Sequence, residues 1–551
     1  MIFDKFTTPT AMFNHWVETH PDKVYLRQPI NNQWKTTTWA EAHSQIVAMA
    51  NFLSRYPLGS RIALFSLNCA EWIIADQAIM MAGHISVPIY PTANSKTVTQ
   101  ILTHSESSLV FIGKLPPATD IDFISNDIDK MAIFSERKGM DYWDNILAKV
   151  VEEHNSITQP QFTATEKDIA TIVYTSGTTG HPKGVVLSYF AFYKAIENVG
   201  KIVQFSQGEK YFSFLPLSHI AERMVVEMNS IYFGGMVSFV ESLETFSDNL
   251  KQTQPTIFFG VPRIWVKLMQ GVQKKLGGAR LSSTLMGLPV VGNLLKKKII
   301  KGLGLDKVKH AISAAAAISP QVLLWYKDLG IDLVEVYGLS ETTGVSHANI
   351  PGNIKIGTVG KAIPETDYQL TETGEILIRS PHLMDGYYKE PDITDMAIQD
   401  GWFRTGDLGK MDEEGFLTIT GRVKEIFKTS KGKYISPVPI EAKVQPALEV
   451  EQLVVTGVDL PQPIVIASIL DETIWNDKKS AEKKFLQIMQ SINDTLEKHE
   501  KLSHLILVKS EWTVDNAMMT PTLKLRRQQI EDFYLPKLPE LSKKKSIIWL
   551  D

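Results

Sequence analysis

Between about residue 36 and residue 190, short apolar runs alternate with segments whose apolar residues recur at helical spacing. The runs are SRIALFSL (60–67), HISVPIY (84–90), SSLVFIG (107–113), KMAIFS (130–135) and ATIVYTSG (170–177). Runs of this length between helical patterns predict βαβ units and a mostly parallel sheet. A second round follows: YFSFLPL (211–217), GGMVSFV (234–240), PTIFFGV (255–261), KHAISAA (309–315) and DLVEVYG (332–338). From about residue 356 the texture changes. YQLTETGEILIRS (368–380) and GKMDEEGFLTITGR (409–422) place glycines and acidic turn residues between short strands, which predicts an antiparallel, partly barrel-like piece. Beyond Arg422 a smaller α+β segment runs into a lysine-rich tail. The expected fold is α/β: a large N-terminal domain over 1–421, with parallel-type sheets, helices and the antiparallel part, then a smaller mobile α+β domain over 422–551. No repeat and no low-complexity tether separates them, so the junction reads as a hinge near 422.

Composition narrows the class. The 551 residues are 44% hydrophobic and 21% charged, ordinary for a globular protein with more than one domain. Basic and acidic residues number 57 and 61, for a net charge of -4; that balance disfavours a protein built to grip nucleic acid. Met1 to Lys5 show no signal-peptide pattern. No apolar stretch reaches the about 18 residues of a membrane span, since the run from Ile73 to Tyr90 is broken by Asp76, Gln77 and His84. The one cysteine, Cys69, allows no intramolecular disulfide and fits a reducing cytoplasm. Its setting is that of a small core residue. If the chain makes thioesters, the sulfur comes from another molecule.

Candidate chemistry centres on YTSGTTGHPKG, Tyr174 to Gly184. A Gly/Ser/Thr loop after a strand exposes N–H and O–H donors, lets a ligand approach the backbone, and here adds a lysine, as a polyphosphate cradle requires. Lys183 follows proline and precedes glycine, so this is not the Walker A loop. Taken alone, such a cluster is more often a flexible surface turn.

Six further stretches accompany it in order: PLSHIAERM (216–224), FFGVPRIW (258–265), VYGLSETTG (336–344), WFRTGDLG (402–409), GRVKEIFKTSKGKYISP (421–437) and MTPTLKLRR (519–527). Together with the loop they resemble the adenylate-forming superfamily over nearly the whole chain. The SHIAERM, GVPRIW and TPTLKLRR variants are similar to the long-chain fatty acyl-CoA synthetase branch. The resemblance implies ATP-dependent activation of a fatty acid to acyl-AMP, then transfer to coenzyme A, with Mg2+ as cofactor. A carboxylate has no good leaving group; attack on the α-phosphate of ATP provides one, AMP. Both partners are anions, so the site must supply a cation, phosphate donors and a lysine.

Carried over by motif, Thr175, Ser176, Gly177, Thr178, Thr179, Gly180 and Lys183 would hold the β- and γ-phosphates. Tyr337 would lie against adenine, Ser340 would contact the α-phosphate, and Glu341 with Thr175 would hold Mg2+. Asp407, assisted by Arg422, would receive the ribose hydroxyls; a turn-capping aspartate is the plainer alternative. Lys524 would bridge the substrate carboxylate and the α-phosphate. His219 and Arg223 would stand near the carboxylate and the start of the acyl pocket, although a histidine there is often structural. Lys424 matches the hinge position, and Gly432 lies in a loop expected to line the coenzyme A tunnel. Phe258 to Pro262 resemble acyl-tunnel wall, though by composition they are also core.

Two departures stand out. Ala314 to Ala317 replace a segment that usually contains glycine, and methyl groups restrict φ where backbone should face adenine. The 429–436 loop keeps one glycine, Gly432, where a doubled glycine is frequent. Separately, Lys296, Lys297, Lys298 and Lys301 either face solvent or touch an anionic membrane, making the expected location cytoplasmic with possible peripheral contact at the inner membrane face. Rival functions are transfer to a carrier protein, adenylation of an aryl acid, or a catalytically dead nucleotide- or acyl-binding protein. No carrier-like segment is seen, and Glu341, Asp407, Arg422 and Lys524 together argue against a dead site.

Overall fold

The computed structural model describes residues 5–116, 119–153, 160, 162–176, 181–448, 450, 452–514, 516–520, 524–538 and 546–550. The apolar runs of the first round form one sheet. Its parallel centre runs Ile169–Ser176, Ile85–Ile89, Arg61–Phe65, Ser107–Ile112, Asp129–Ala132, Asp141–Tyr142. Pro182–Ser188 and Gly386–Tyr387 extend one edge in antiparallel fashion. The central strands are buried on both faces, which explains why they read as continuous apolar runs rather than alternating ones.

The second round forms a nine-stranded sheet. Lys210–Ser213, Met236–Phe239, Ile257–Gly260, His310–Ser313 and Leu333–Tyr337 run parallel within it. The hairpin Val24–Ile30/Gln33–Thr38 joins one edge through a parallel pairing with Met236–Phe239. The largest core cluster lies between the two sheets, around Trp39, Trp72, Phe192 and Met228.

The glycine-punctuated region forms the expected antiparallel sheet, Asp367–Leu370, Glu375–Arg379, Trp402–Met411, with Ile398–Gln399 and Leu417–Arg422 paired to the last of these. Beyond residue 426 the chain builds its own cores. Gln452–Thr456, Ile464–Ser468, His504–Val508 and Ile547–Leu550 form a four-stranded sheet, with Pro437–Leu448 and Lys478–Asn493 on one face and Arg527–Tyr534 on the other. Among the described residues no helix is long and apolar enough to cross a membrane. Cys69 is buried beside the Ser66 hydroxyl. Burial pushes its thiol up to about 12, so it is inert core rather than a nucleophile.

Candidate active site

The sheets bring several distant motifs together. In the Leu333–Tyr337 strand and the turn after it, Gly338 is required: a Cβ there would meet the Gly344 backbone at 2.4 Å. The 3-10 turn Ser340–Thr342 that follows presents Glu341. In the neighbouring antiparallel sheet Asp407 pairs in register with Arg422. Asp407 is 3% exposed and both of its oxygens are engaged. The Arg422 guanidinium meets one at 2.8 Å and the Tyr337 hydroxyl donates to the other at 2.8 Å. Burial, and then the Asp407 carboxylate, raise the Tyr337 phenol far above its ordinary range, so it remains a donor. Tyr337, Asp407 and Arg422 are therefore one unit, holding a carboxylate in a fixed orientation.

Glu341 accepts a hydrogen bond from the Tyr387 hydroxyl at 2.8 Å. Lys183 lies over the face of the same Tyr387 ring, 5.2 Å from its centroid. The contact arises because Gly386–Tyr387 pairs with the strand carrying Lys183, which is itself paired with Ile169–Ser176, Thr175 opposite Lys183. Thr175, Lys183, Tyr387 and Glu341 thus converge on one corner. Gly177, Thr178, Thr179 and Gly180 lie outside the described residues, and Ser176 is placed only by its backbone, opposite Pro182. Sequence reading missed Tyr387; its signal, the GYYK stretch at 386–389, matched none of the motifs singled out.

Lys524 reaches the site from the C-terminal segment. The charges acting on it are Arg422, Asp407, Glu341 and Glu425, and it acts in turn on His219. The residue is exposed, although protein atoms crowd around it and partly bury it. That burial, and then Arg422, lower its pKa from the ordinary lysine value. The turn containing Gly432, closed by its N–H to the Thr429 carbonyl at 2.8 Å, is exposed. Among the described residues no hydrogen bond or ion pair ties it to Asp407 or Glu341.

His219 has a local job. Its Nδ1 accepts from the Ala221 N–H at 3.1 Å, capping the turn that follows. Burial, and then Lys524, push its pKa down to about 3, so the ring is neutral and its Nε2 carries the proton. It can donate into the cleft but is not poised as an acid or base near neutral pH.

Arg223 does not reach the cleft. Its side chain is 0% exposed, paired with Asp76 at 2.5 Å and Glu227 at 3.4 Å, and it donates to the Thr171 hydroxyl at 2.7 Å. Burial, and then Asp76, raise the Glu227 carboxyl well above its usual range. Glu227 therefore keeps its proton, and one buried cation faces one buried anion. The sequence held a hint, since Asp76 interrupts an apolar run and a buried carboxylate needs a partner. Arg223→Ala is expected to lower unfolding free energy by ~3–5 kcal/mol, because it strands Asp76. Denaturant titration checks this; an unchanged midpoint would show that the pair contributes nothing.

Two further segments complete the site. Ala315 adopts φ 72°, the left-handed conformation that glycine takes without penalty. The alanine tract therefore carries one strained methyl at a position that glycine would occupy without penalty. Above Thr343, Gly344 and Val345, directly after Glu341, opens a narrow apolar cavity of about 90 Å³. Phe259, Ile312, Val334 and Val336 wall it on one side and Ile196, Val199 and Met224 on the other, with His310, Asp332 and Pro351 at its outer end. The FFGVP stretch is split by strand alternation: Phe259 lines the cavity, while Phe258 packs into core against Trp265, ring centroids 5.0 Å apart.

Comparison with known proteins identifies the family and the fold. The AMP-binding enzyme family matches residues 13–388, and the AMP-binding enzyme C-terminal domain matches 424–544. A long-chain fatty acid–CoA ligase of Mycobacterium bovis is 28% identical over 575 residues, with 95% of each chain covered. Among solved structures, the adenylation domain of a Mycobacterium chelonae carboxylate reductase superposes with TM-score 0.82 at 18% identity, covering 98% of this chain and 92% of that one. The o-succinylbenzoate CoA synthetase of Bacillus subtilis, solved with its acyl-adenylate intermediate, gives 0.73 at 18% identity, covering 95% and 98%.

Proposed function

The chain belongs to the AMP-binding enzymes, and on that premise we propose that it activates a long-chain fatty acid with ATP and passes the acyl group to coenzyme A. The observation that carries the acyl assignment is the apolar cavity, which begins at Thr343–Val345 beside the adenylation residues and is lined almost wholly by aliphatic side chains and Phe205 and Phe259. Such a lining favours an alkyl chain over a polar or charged acid. The M. bovis relative, named a long-chain fatty acid–CoA ligase, supports the same class.

In this reading Asp407, held by Tyr337 and Arg422, takes the ribose hydroxyls. Thr175, Lys183 and the loop between them take the terminal phosphates, and Ser340 takes the α-phosphate. Lys524 lowers the repulsion between the incoming carboxylate and that phosphate. Attack of the carboxylate oxygen breaks the bond to pyrophosphate; thiol attack on the acyl carbon then releases AMP. Among the described residues no group of three His, Cys, Asp or Glu side chains is placed to hold a metal. Glu341 with Thr175 instead fits a divalent cation that arrives on the triphosphate, as Mg2+ typically does, and neutralises its charge.

A panel of fatty acids of graded length, together with aryl acids, assayed for AMP release with and without coenzyme A, tests the reading. Sustained turnover that requires coenzyme A and is fastest with long chains is expected. ADP as product, or preference for aryl acids, would overturn it. Glu341→Gln should keep the fold, because the amide oxygen still accepts from Tyr387. It should lower the adenylation rate by roughly 10²–10³-fold, since one metal-directed charge is gone. A wild-type rate at saturating magnesium would remove Glu341 from the metal site.

A further inference from the structure

We propose that the helical excursion between the Ile257–Gly260 and His310–Ser313 strands docks this protein on an anionic lipid bilayer. The excursion comprises the helices Pro262–Lys275, Ala279–Met286 and Val291–Leu303. From Lys267 to Leu305 its sequence holds eight basic residues and neither aspartate nor glutamate. The whole chain stands at -4, so the remainder stands at -12. This segment is thus a run of unopposed positive charge on a molecule whose remainder is net acidic, which favours orienting it toward a negative surface.

The same segment carries exposed apolar side chains that fill no core. Gly287, Leu288, Pro289, Val290 and Val291 are consecutive and all exposed at the tip between the second and third helices, and Val290 is 71% exposed. Val291, Leu294, Lys298 and Lys301 then follow at helical spacing on one exposed face, Leu294 at 66%. The opposite face is anchored by Gly292 and Ile299, which are buried. Lys296 is drawn to Asp328 at 2.6 Å, but Lys297, Lys298 and Lys301 have no carboxylate partner among the described residues.

An apolar tip with lysines set back along the same face is the arrangement that enters the acyl boundary and keeps its ammonium groups among phosphates. A soluble polyanion would recognise the lysines alone and give no reason for five exposed apolar residues. The Val291–Leu303 helix also leads directly into the strand whose first residue, His310, lines the outer end of the apolar cavity.

The test is co-sedimentation of the full chain with vesicles of phosphatidylcholine alone and of phosphatidylcholine mixed with phosphatidylglycerol. Wild type should bind the anionic vesicles, less so as salt rises, and leave the neutral ones in solution. Lys297→Glu/Lys298→Glu/Lys301→Glu should weaken that binding by roughly tenfold or more. Val291→Ser/Leu294→Ser should also weaken it by several-fold. Because all five side chains are exposed, melting temperatures should match wild type and exclude misfolding as the cause. Absence of wild-type binding to anionic vesicles, or charge-reversed protein binding as well as wild type, would overturn the proposal. A serine variant that binds anionic vesicles as wild type does would reduce the site to a generic polyanion patch and overturn it equally.

Discussion

Lys524→Ala is expected to lower adenylation by at least ~10²–10³-fold while leaving thioester formation from supplied acyl-AMP largely intact. The first half-reaction presses a carboxylate against a phosphate, and Lys524 stands where Arg422, Asp407 and Glu341 all act on it. No pairing of anions occurs in the second half-reaction, where a thiol attacks a neutral acyl carbon. The pH dependence gives an independent readout. Burial lowers the Lys524 pKa, so the ammonium that adenylation needs is lost as pH rises, at a lower pH than for an ordinary lysine. The alkaline limb of kcat/KM, which reports the free enzyme, should therefore fall below the usual lysine range of about 10.4. In the substrate complex two anions face the ammonium and raise its pKa, so the limb of kcat should lie higher. The acid side should show no limb assignable to His219, which stays neutral down to about 3. Equal loss in both half-reactions, with both alkaline limbs unmoved in the variant, would assign Lys524 another role.

Much of this was legible in the sequence because the signals are local. A parallel strand buried on both faces shows itself as an unbroken run such as Ile62 to Phe65, whatever it pairs with. Glycine-punctuated alternation likewise marked the antiparallel sheet. Non-local pairings left no trace of that kind. Nothing in Val24–Ile30 announces a partner at Met236–Phe239, some two hundred residues away. Tyr387 was invisible for the same reason: its value lies in touching Glu341 and Lys183, which sheet pairing brings to it. At Ala315 alanine takes a left-handed φ of 72°, a conformation that its residue type does not announce. Residue type was ambiguous at Phe258 and Phe259, which only strand alternation separates into core and cavity wall. Arg223 illustrates the opposite limit, since its motif context pointed toward the cleft and its three hydrogen-bonding or charged partners hold it beneath.

Lys424→Pro is expected to retain a single turnover of acyl-AMP and pyrophosphate formation and to lose transfer to coenzyme A. Lys524 and the Gly432 turn, both beyond residue 422, are proposed to serve the two half-reactions in turn, which requires that segment to reorient. The geometry confines the pivot. Arg422 is fastened to Asp407 of the large part at 2.8 Å, and Glu425 is drawn to Arg527 of the small part at 3.8 Å. Between these anchors lie Val423 and Lys424, in a 3-10 turn that spans Val423–Glu425. Among the described residues, side-chain contacts that cross them include the Ser436 hydroxyl donating to the Thr420 carbonyl at 2.6 Å and the Arg263–Glu511 ion pair at 3.9 Å, and a rotation must break both. Hinges of this kind act by changing φ and ψ at one or two element-terminal residues. Proline fixes φ near about −65°, which suits a 3-10 turn, so it favours the arrangement seen and opposes departure from it. Its ring also crowds Val423, so adenylation should slow modestly rather than stay at the wild-type rate. Lys424→Ala separates the hinge from a simple nucleotide contact: as a hinge residue alanine should preserve both half-reactions, whereas loss of a contact should depress adenylation in both variants. Thioester formation by the proline variant at the wild-type rate would place the pivot elsewhere.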